Sequence, residues 1–175
     1  ESKQSIELNR ESFDTNLTGE GDIIVLLGNE GNFLLTNPII LKSKQKLLSP
    51  GGYLRVYSES DNKRYVDFEP QGKTATLKYE NPINQFEVKP QAGFEDMVII
   101  DNNNTVSGIK FLGSQNEYNY GFEQAITGYE VSGNINITNN YFNNLKSAVQ
   151  IQTIQGDADI NIKNNKGVSI IVIEV

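Results

Sequence analysis

The chain has 175 residues, of which 37% are hydrophobic, and it contains no cysteine, histidine or tryptophan. These absences exclude a thiolate nucleophile, an imidazole base, metal sites built from histidine or cysteine, and a disulfide framework. The 15 basic and 22 acidic residues give a formal net charge of −7, which disfavours nucleic acid and anionic membranes as partners. The longest apolar runs have the length of strands, so no segment is predicted to insert into a membrane.

The N-terminal segment predicts a short helix. Phe13 and Leu17 are four residues apart behind Asn9, a residue type that caps helices, and glycines follow. Residues four apart share one face of a helix, and glycine is typical of helix ends. We therefore predict an amphipathic helix around these residues, within an N-terminal cap formed by residues 1–22.

The rest of the chain contains sequence repeats. Residues 135–140 and 160–165 have nearly the same sequence, Ile-Asn-Ile followed by a polar residue and Asn-Asn, with an offset of 25. Residues 108–111 contain a similar apolar-polar-apolar unit, and Ile109 precedes Ile135 by 26 residues. Residues 86–88 are a looser candidate. The pattern indicates a period in the low to middle twenties.

A second series of short apolar segments lies between these repeats. It comprises residues 124–126, 148–151 and 170–173, again roughly two dozen residues apart. Such short alternating segments, separated by glycine and asparagine, are typical of strands. A hairpin meander would not bring identical motifs into register, whereas a parallel coil stacks each repeat on its equivalent. We therefore predict an all-β parallel coil.

The asparagine pairs support the same prediction. Asn139 would lie over Asn164, and Asn140 over Asn165, at the strand spacing of about 4.8 Å. At that distance their amides could bond to one another in a ladder along the coil. The alternative is that Asn-Asn is turn chemistry, which explains the residue type but not the register.

These residues resemble a known family. The segment from Ile135 to Leu145 resembles the Ile-x-Asn-Asn-x-Phe-x-Asn repeat of right-handed parallel β-helices of the pectate-lyase-like superfamily. The N-terminal third, with its predicted helix and the segments that begin at Gly21, Pro38 and Leu47, resembles the opening of that family. The resemblance implies a right-handed, single-stranded parallel β-helix of about six to seven coils.

The expected organisation is a single domain over residues 1–175. After the cap we expect irregular coils over residues 23–107 and regular asparagine-ladder coils over residues 108–175. The apolar segment 167–175 would leave an open edge. We therefore expect a fragment of a longer chain, in which further C-terminal sequence or another chain covers the last coil.

Catalytic candidates are weak. Asp157 and Asp159 would share one face of an extended segment, as a pair of catalytic carboxyls requires, but Gly156-Asp157 also reads as a turn. Arg55 and Arg64 bracket a polar loop and are weak candidates for a lyase base. The residues that carry out catalysis in the resembling enzymes have no clear match here, so the sequence leans away from an enzyme.

A calcium site is a similarly weak prediction. Asp96 and Asp101 flank a strand, and three asparagines at 102–104 follow. Hard oxygen donors can bind Ca²⁺, but the spacing matches no calcium loop, so a turn is favoured. Apart from this weak calcium candidate, no cofactor or metal site is predicted.

The segment 114–124 is the strongest binding candidate, because it is the longest insertion between recognisable strands and is rich in aromatic and amide side chains. Its candidate ligand-binding residues are Tyr118, Asn119, Tyr120, Phe122 and Gln124. The alternative is that it folds back over the flank of the coil. Tyr53, Tyr57 and Tyr65 either join this surface or lie in the core.

The function expected from these observations is non-enzymatic. We predict a secreted or bacterial cell-surface scaffold for adhesion, with carbohydrate or a host or cell-surface protein as partner. This organisation resembles the passenger region of an autotransporter or a surface adhesin. The alternatives are a relative of polysaccharide lyases or glycoside hydrolases, and a fragment of a trimeric phage tail spike.

Overall fold

The computed structural model describes the chain over six ranges, to which the following account applies. They are residues 18–28, 31–57, 65–79, 96–113, 123–167 and 171–174. The fold is all-β, as predicted, and no helix in these ranges is long and apolar enough to cross a membrane. The helix predicted around Phe13 and Leu17 lies outside the described residues.

Most of the strands belong to three five-stranded sheets. Sheet 1 contains β1 (Ile23–Val25), β4 (Lys46–Leu48), β9 (Thr105–Ser107), β12 (Asn134–Thr138) and β15 (Asp159–Lys163). Sheet 2 contains β2 (Phe33–Leu35), β7 (Thr76–Tyr79), β10 (Lys110–Leu112), β13 (Tyr141–Asn143) and β16 (Lys166–Gly167). Sheet 3 contains β3 (Ile39–Ile40), β8 (Asp96–Ile100), β11 (Gln124–Val131), β14 (Ser147–Ile154) and β17 (Ile171–Glu174). The remaining two strands, β5 (Leu54–Tyr57) and β6 (Tyr65–Phe68), form a hairpin.

The chain visits the three sheets in a fixed order, sheet 1, then sheet 2, then sheet 3, and then returns to sheet 1. Each turn therefore supplies one strand to every sheet. Within the three sheets all pairings are parallel, and each strand pairs with the strands one turn before and after it. This arrangement is compatible with a β-helix-like fold.

The register of the two clearest repeats is as the sequence predicts. Ile135 pairs with Ile160, so equivalent residues of successive turns lie side by side in parallel strands. The second series is also confirmed, because Ile126 pairs with Val149, which pairs with Ile171. The period of the sequence is therefore the length of one turn.

The alignment predicted for residues 108–111 is wrong. The residue opposite Ile137 is Val106, and the residue opposite Phe142 is Phe111, an offset of 31 in both cases (137 − 106 and 142 − 111). Ile109 therefore precedes a strand of sheet 2 and is not the equivalent of Ile135 in sheet 1. The error arises because apolar residues alternate with polar ones on both sides of the corner between the sheets.

The described residues make five turns rather than the six to seven expected. The expected number assumed a constant period, but the second turn is much longer than the others. Lys46 pairs with Thr105, so that turn takes 59 residues (105 − 46). It contains the hairpin and also residues 80–95, which lie between β7 and β8.

Aliphatic side chains at equivalent positions of sheet 1 fill the interior. Ile24, Leu47, Val106 and Ile137 follow one another from turn to turn, and all four are buried. Burial of such a side chain stabilises a fold by roughly 1.5–3 kcal/mol. Ile162, the next residue in this series, is only half-buried, so the column is less well covered at β15 than at β1.

Sheet 2 continues the core with aromatic residues. Phe111 and Phe142 are paired in adjacent strands, and their rings stack with centroids 5.3 Å apart. Leu77 lies opposite Phe111 on the other side. The side chains of all three are buried, so apolar residues of successive turns pack on one another along the coil.

The corner between sheet 1 and sheet 2 requires a left-handed backbone conformation. Gly108, Asn139 and Asn164 each lie two residues before a strand of sheet 2, with φ angles of 81°, 57° and 56°. Glycine and asparagine tolerate this conformation better than other residues. The first asparagine of each Asn-Asn pair is therefore explained by turn chemistry.

The second asparagine of each pair bonds to the preceding turn. Asn140 accepts a hydrogen bond from the backbone N–H of Ile109 at Oδ1 and donates from Nδ2 to the carbonyl of Val106, both at 3.0 Å. Asn165 does the same one turn later, with the N–H of Asn140 at 2.9 Å and the carbonyl of Ile137 at 2.8 Å. These bonds run from side chain to backbone rather than from amide to amide.

An amide-to-amide bond along the coil is present at another position. Asn161 donates from Nδ2 to Oδ1 of Asn136 at 3.0 Å, between paired residues of β15 and β12. Two paired hydroxyls of the same sheet, Ser107 and Thr138, lie 2.9 Å apart. Polar side chains of sheet 1 thus link the turns directly.

Replacing Asn140 with alanine is expected to destabilise the fold by about 2–4 kcal/mol, because two buried backbone groups lose their partner. Asn165→Ala is the matched control, since it removes the same two bonds where the side chain is only half-buried. Chemical denaturation would measure both variants. If both variants lose the same free energy of unfolding, the burial of Asn140 does not explain its contribution to stability.

Gly108→Ala is expected to be more harmful than its backbone conformation alone explains. A Cβ at this position would lie 2.2 Å from the backbone nitrogen of Gly52, whereas a Cβ at Gly156, which also has a positive φ, meets nothing within 4 Å. Gly156→Ala should cost about 1 kcal/mol for the left-handed conformation, and Gly108→Ala a further 2 kcal/mol or so for overpacking. Similar melting temperatures for the two variants would show that the corner is not closely packed.

Candidate functional site

The hairpin of β5 and β6 leaves the coil between sheet 1 and sheet 2 and is the one antiparallel pair among the described strands. Its side chains are exposed except that of Leu54, which is half-buried. Because alternate residues of a strand point to opposite faces, the hairpin has two distinct faces. Neither face is buried against the coil.

One face, which we call the aromatic face, carries Arg55, Tyr57, Tyr65 and Asp67. Arg55 donates from Nε and Nη2 to the two carboxylate oxygens of Asp67, at 2.7 and 2.8 Å. The guanidinium carbon also lies 3.9 Å from the centroid of the Tyr65 ring. The rings of Tyr65 and Tyr57 meet edge to face with centroids 6.1 Å apart, so all four side chains form one connected group.

The rings of this group are held in place and remain accessible. Tyr57 and Tyr65 are 54% and 52% exposed. A bidentate arginine–carboxylate pair restricts both side chains geometrically, and the arginine in turn lies over the Tyr65 ring. The face therefore presents flat apolar surfaces next to groups that can donate and accept hydrogen bonds.

The charges of the aromatic face reinforce each other. The hydrogen bond that Arg55 donates to Asp67 raises the pKa of Arg55, which keeps the guanidinium charged. The hydrogen bond from Arg55 lowers the pKa of Asp67 below its usual 3.8. A base would need the opposite shift, so this environment argues against Arg55 as a lyase base.

The other face, which we call the apolar face, carries Leu54, Val56, Val66 and Phe68. Leu54 pairs with Phe68, and Val56 pairs with Val66. Val56, Val66 and Phe68 are all exposed. Aliphatic and aromatic carbon thus faces solvent here without any charged side chain among the four.

A second polar group is centred on the buried Asp96, where sheet 2 leads into sheet 3. Asp96 accepts hydrogen bonds from the hydroxyls of Thr127 and Tyr129, at 2.6 and 3.2 Å, and Tyr79 donates to its backbone carbonyl at 2.6 Å. Burial raises the pKa of Tyr79, and the negative charges of Asp96 and Glu123 raise it further. Both carboxyl residues are almost fully buried, which makes this group part of the packed structure.

Of the five residues predicted to bind a ligand, the structure describes only Gln124. Tyr118, Asn119, Tyr120 and Phe122 lie outside the described residues. Gln124 is only 9% exposed, and its Oε1 accepts a hydrogen bond from the hydroxyl of Ser147 at 3.1 Å. A ligand-binding role for these five residues stays a prediction, although Gln124 already has a partner within the fold.

The carboxylates considered for catalysis and for calcium lie in separate places. Asp157 and Asp159 are both exposed, at and just before the start of β15. Asp96 and Asp101 lie at opposite ends of one strand region, and Asp101 accepts a hydrogen bond from the N–H of Asn102 in a turn. Among the described residues, no three acidic side chains come together as a possible metal site.

The structure excludes one of the two alternatives that the sequence left open for three tyrosines. Tyr53, Tyr57 and Tyr65 are all exposed rather than in the core. The missed signal is the alternation in Leu-Arg-Val-Tyr at 54–57 and Tyr-Val-Asp-Phe at 65–68, on either side of a polar segment. Two alternating runs around a polar loop are a hairpin signature, but these runs do not recur at the period of the parallel repeats.

Comparison with known proteins gives no family assignment. No protein-family model matches the chain, and no curated protein or solved structure is detectably similar to it. The functional argument therefore rests on the geometry of the hairpin and the coil.

The arrangement of side chains on the aromatic face is expected to change at low pH, where Asp67 becomes protonated. A carboxyl whose pKa is lowered by folding stabilises the folded state above its unfolded pKa, and this contribution is lost as the pH falls through the lowered value. The NMR signals of the Tyr65 ring should therefore shift on acidification with a midpoint below pH 3.8, the usual pKa of Asp67. Asp67→Asn should abolish the shift, and a midpoint at or above 3.8 would contradict the pairing.

Proposed function

We propose that the protein is a right-handed, single-stranded parallel β-helix that serves as a secreted or cell-surface scaffold for adhesion. The observation that supports a coil is that the chain visits three parallel sheets in a fixed order. Handedness follows from a general rule, since connections between parallel strands of one sheet are right-handed in about 98% of cases. The Ile-x-Asn-Asn-x-Phe-x-Asn resemblance to the pectate-lyase-like superfamily supports the same choice.

The aromatic face of the hairpin is the proposed ligand site, and it is the observation that carries the proposal. Tyrosine rings offer apolar faces to the C–H groups of a sugar, while arginine and carboxylate groups bond to its hydroxyls. Tyr57 and Tyr65 lie beside Arg55 and Asp67 in this way. Carbohydrate is therefore the proposed class of ligand, on a glycan or a glycosylated host protein.

The charge of the chain limits the kind of carbohydrate. A net charge of −7 disfavours polyanionic polymers, because the protein and the ligand would repel each other. Arg55 and Asp67 neutralise each other at the site itself. A neutral glycan is therefore preferred to a uronate polymer, which also separates this proposal from a polyuronate lyase.

The last described turn is proposed to receive a further strand layer, from the same chain or another. Ile160 and Ile162 are half-buried, whereas Ile135 and Ile137 one turn earlier are completely buried. Asn161 has a buried Oδ1 without a hydrogen-bond partner. An adjacent strand with aliphatic residues in this register would extend the core.

Removal of either tyrosine ring of the aromatic face is expected to weaken glycan binding. Tyr57→Ala and Tyr65→Ala should each lower affinity for neutral glycans about tenfold, as expected when one aromatic side chain that contacts the ligand is removed. The measurement is binding of the purified protein to an array of neutral oligosaccharides, followed by calorimetry on those retained.

Tyr141→Ala is the matched control for this experiment. Tyr141 is a similarly exposed tyrosine, 44% accessible, but it lies on sheet 2 of the coil. Tyr57→Phe should keep most of the affinity, because the ring remains. If no neutral glycan binds, or if Tyr141→Ala weakens binding as much as Tyr57→Ala, the proposed site is wrong.

A further inference from the structure

The last described turn ends the coil with an edge that the ligand site does not use. Its strands β15, β16 and β17 each lie at the end of their sheet, so each is paired on one side only among the described strands. The interior is also open here, because Ile171 is 49% exposed, whereas Val149, its partner one turn earlier, is completely buried. This end therefore presents unpaired backbone groups around exposed apolar side chains.

The sequence of β15 is complementary to itself. The strand reads Asp159-Ile-Asn161-Ile-Lys163, and its side chains alternate between two faces. Ile160 and Ile162 point inward, like the buried isoleucines with which they pair in β12, and the other three residues point outward. The strand thus has opposite charges at its two ends and an amide at its centre.

A two-fold axis through Asn161 gives every residue of this strand a suitable partner. When a second copy of β15 lies antiparallel across the axis, Asp159 faces the second copy's Lys163, Ile160 faces Ile162, and Asn161 faces itself. Such an interface is isologous, so each of the first two pairs forms twice. A parallel pairing of the same strand would place like charges opposite each other, which is destabilising. The charge pattern therefore favours an antiparallel second copy over other strands.

The side chain of Asn161 is where a partner is missing. Its Nδ2 donates to Asn136 of the turn before at 3.0 Å, but its Oδ1 is buried without a hydrogen-bond partner. A buried acceptor that is left unpaired costs about 1–3 kcal/mol. Across the axis, each amide can donate the second hydrogen of its Nδ2 to the Oδ1 of the other. The amide-to-amide bonding of sheet 1 would then continue into the second copy.

We propose that two copies of this chain associate end to end through β15, in a two-fold dimer in which sheet 1 is continuous. This inference rests on the further strand layer of the proposed function and assigns that layer to a second copy. The coil rises by about 4.8 Å per turn, so β17 lies higher along its axis than β15. The two coils therefore meet at an angle, with β17 of each copy against β16 of the other. The dimer carries two aromatic faces, which raises avidity for a multivalent glycan.

The first test is the molecular mass of the chain as its concentration is raised to about 1 mM, at which even a weak specific dimer forms. Lys163→Asp should weaken the dimer about tenfold, because carboxylates then face each other at two symmetric positions. Lys110→Asp is the matched control, since it changes the net charge equally at an exposed position two strands from the edge, and it should weaken association much less. Lys163→Gln, which should also weaken the dimer, replaces Lys163→Asp if that variant does not fold.

A charge exchange separates this pairing from general electrostatics. Asp159→Lys changes the net charge from −7 to −5 (−7 + 2), which would strengthen association if only long-range repulsion mattered. The proposed pairing predicts the opposite, association about tenfold weaker, because two lysines then face each other. Combining Asp159→Lys with Lys163→Asp should restore the dimer, since each lysine again faces an aspartate. A double variant that associates no better than the single variants would overturn the proposal.

The second test locates the axis. The chain contains no cysteine, and residues directly opposite in antiparallel strands have Cα atoms about 4.5–5.5 Å apart, within the range of a disulfide. Under mild oxidation, Asn161→Cys should therefore form a covalent dimer rapidly, whereas Asn136→Cys, on the same face one turn earlier, should not. Equal rates would contradict the proposal, as would a mass that grows beyond that of a dimer with concentration.

These outcomes are distinguishable from failure of the proposed function. Lys163→Asp should leave the affinity for a soluble monovalent glycan unchanged, and Tyr57→Ala should leave dimerisation unchanged. A chain that stays monomeric but binds a synthetic peptide of residues 158–164 would exclude the second copy and leave the further strand layer in place. A monomeric chain that does not bind this peptide would contradict both.

Discussion

The vertical register between successive turns is the constraint on which the rest of the structure depends. Each turn must place its strands about 4.8 Å from those of the previous turn, so side chains at equivalent positions meet their counterparts. Ile24, Leu47, Val106 and Ile137 satisfy this inside the coil. At the corner, Asn140 satisfies it by bonding to backbone groups of the turn before.

The same constraint explains where the coil tolerates additional residues. Register has to be kept in the sheets, but the length of chain at a corner is free as long as both ends return to their positions. Lys46 and Thr105 are 59 residues apart (105 − 46), and the hairpin lies between them. Their strands nevertheless pair in parallel. The candidate ligand face and the apolar face both lie on this insertion, which the rigid coil positions.

The sequence predicted the regular part of the fold better than the site. The near identity of residues 135–140 and 160–165 predicted the pairing of Ile135 with Ile160, because a parallel coil is the arrangement that stacks identical motifs. Ile109 was misaligned, since the apolar alternation continues across a corner and its phase cannot show where one sheet ends. The hairpin was missed because it interrupts the period, and the pairing of Arg55 with Asp67 depends on an antiparallel register that no repeat encodes.

What the sequence determined by itself was the chemistry that is available, the all-β character, and the positions of tight corners, because these depend on residue type and on neighbours along the chain. Only the tertiary structure decided which polar and aromatic residues are accessible. The sequence predicted Gln124 as a ligand contact and left Tyr65 open between the binding surface and the core, yet Gln124 is enclosed within the coil and Tyr65 is in solvent. Accessibility depends on what packs against a side chain from other turns, and this is set by contacts between residues distant in the sequence.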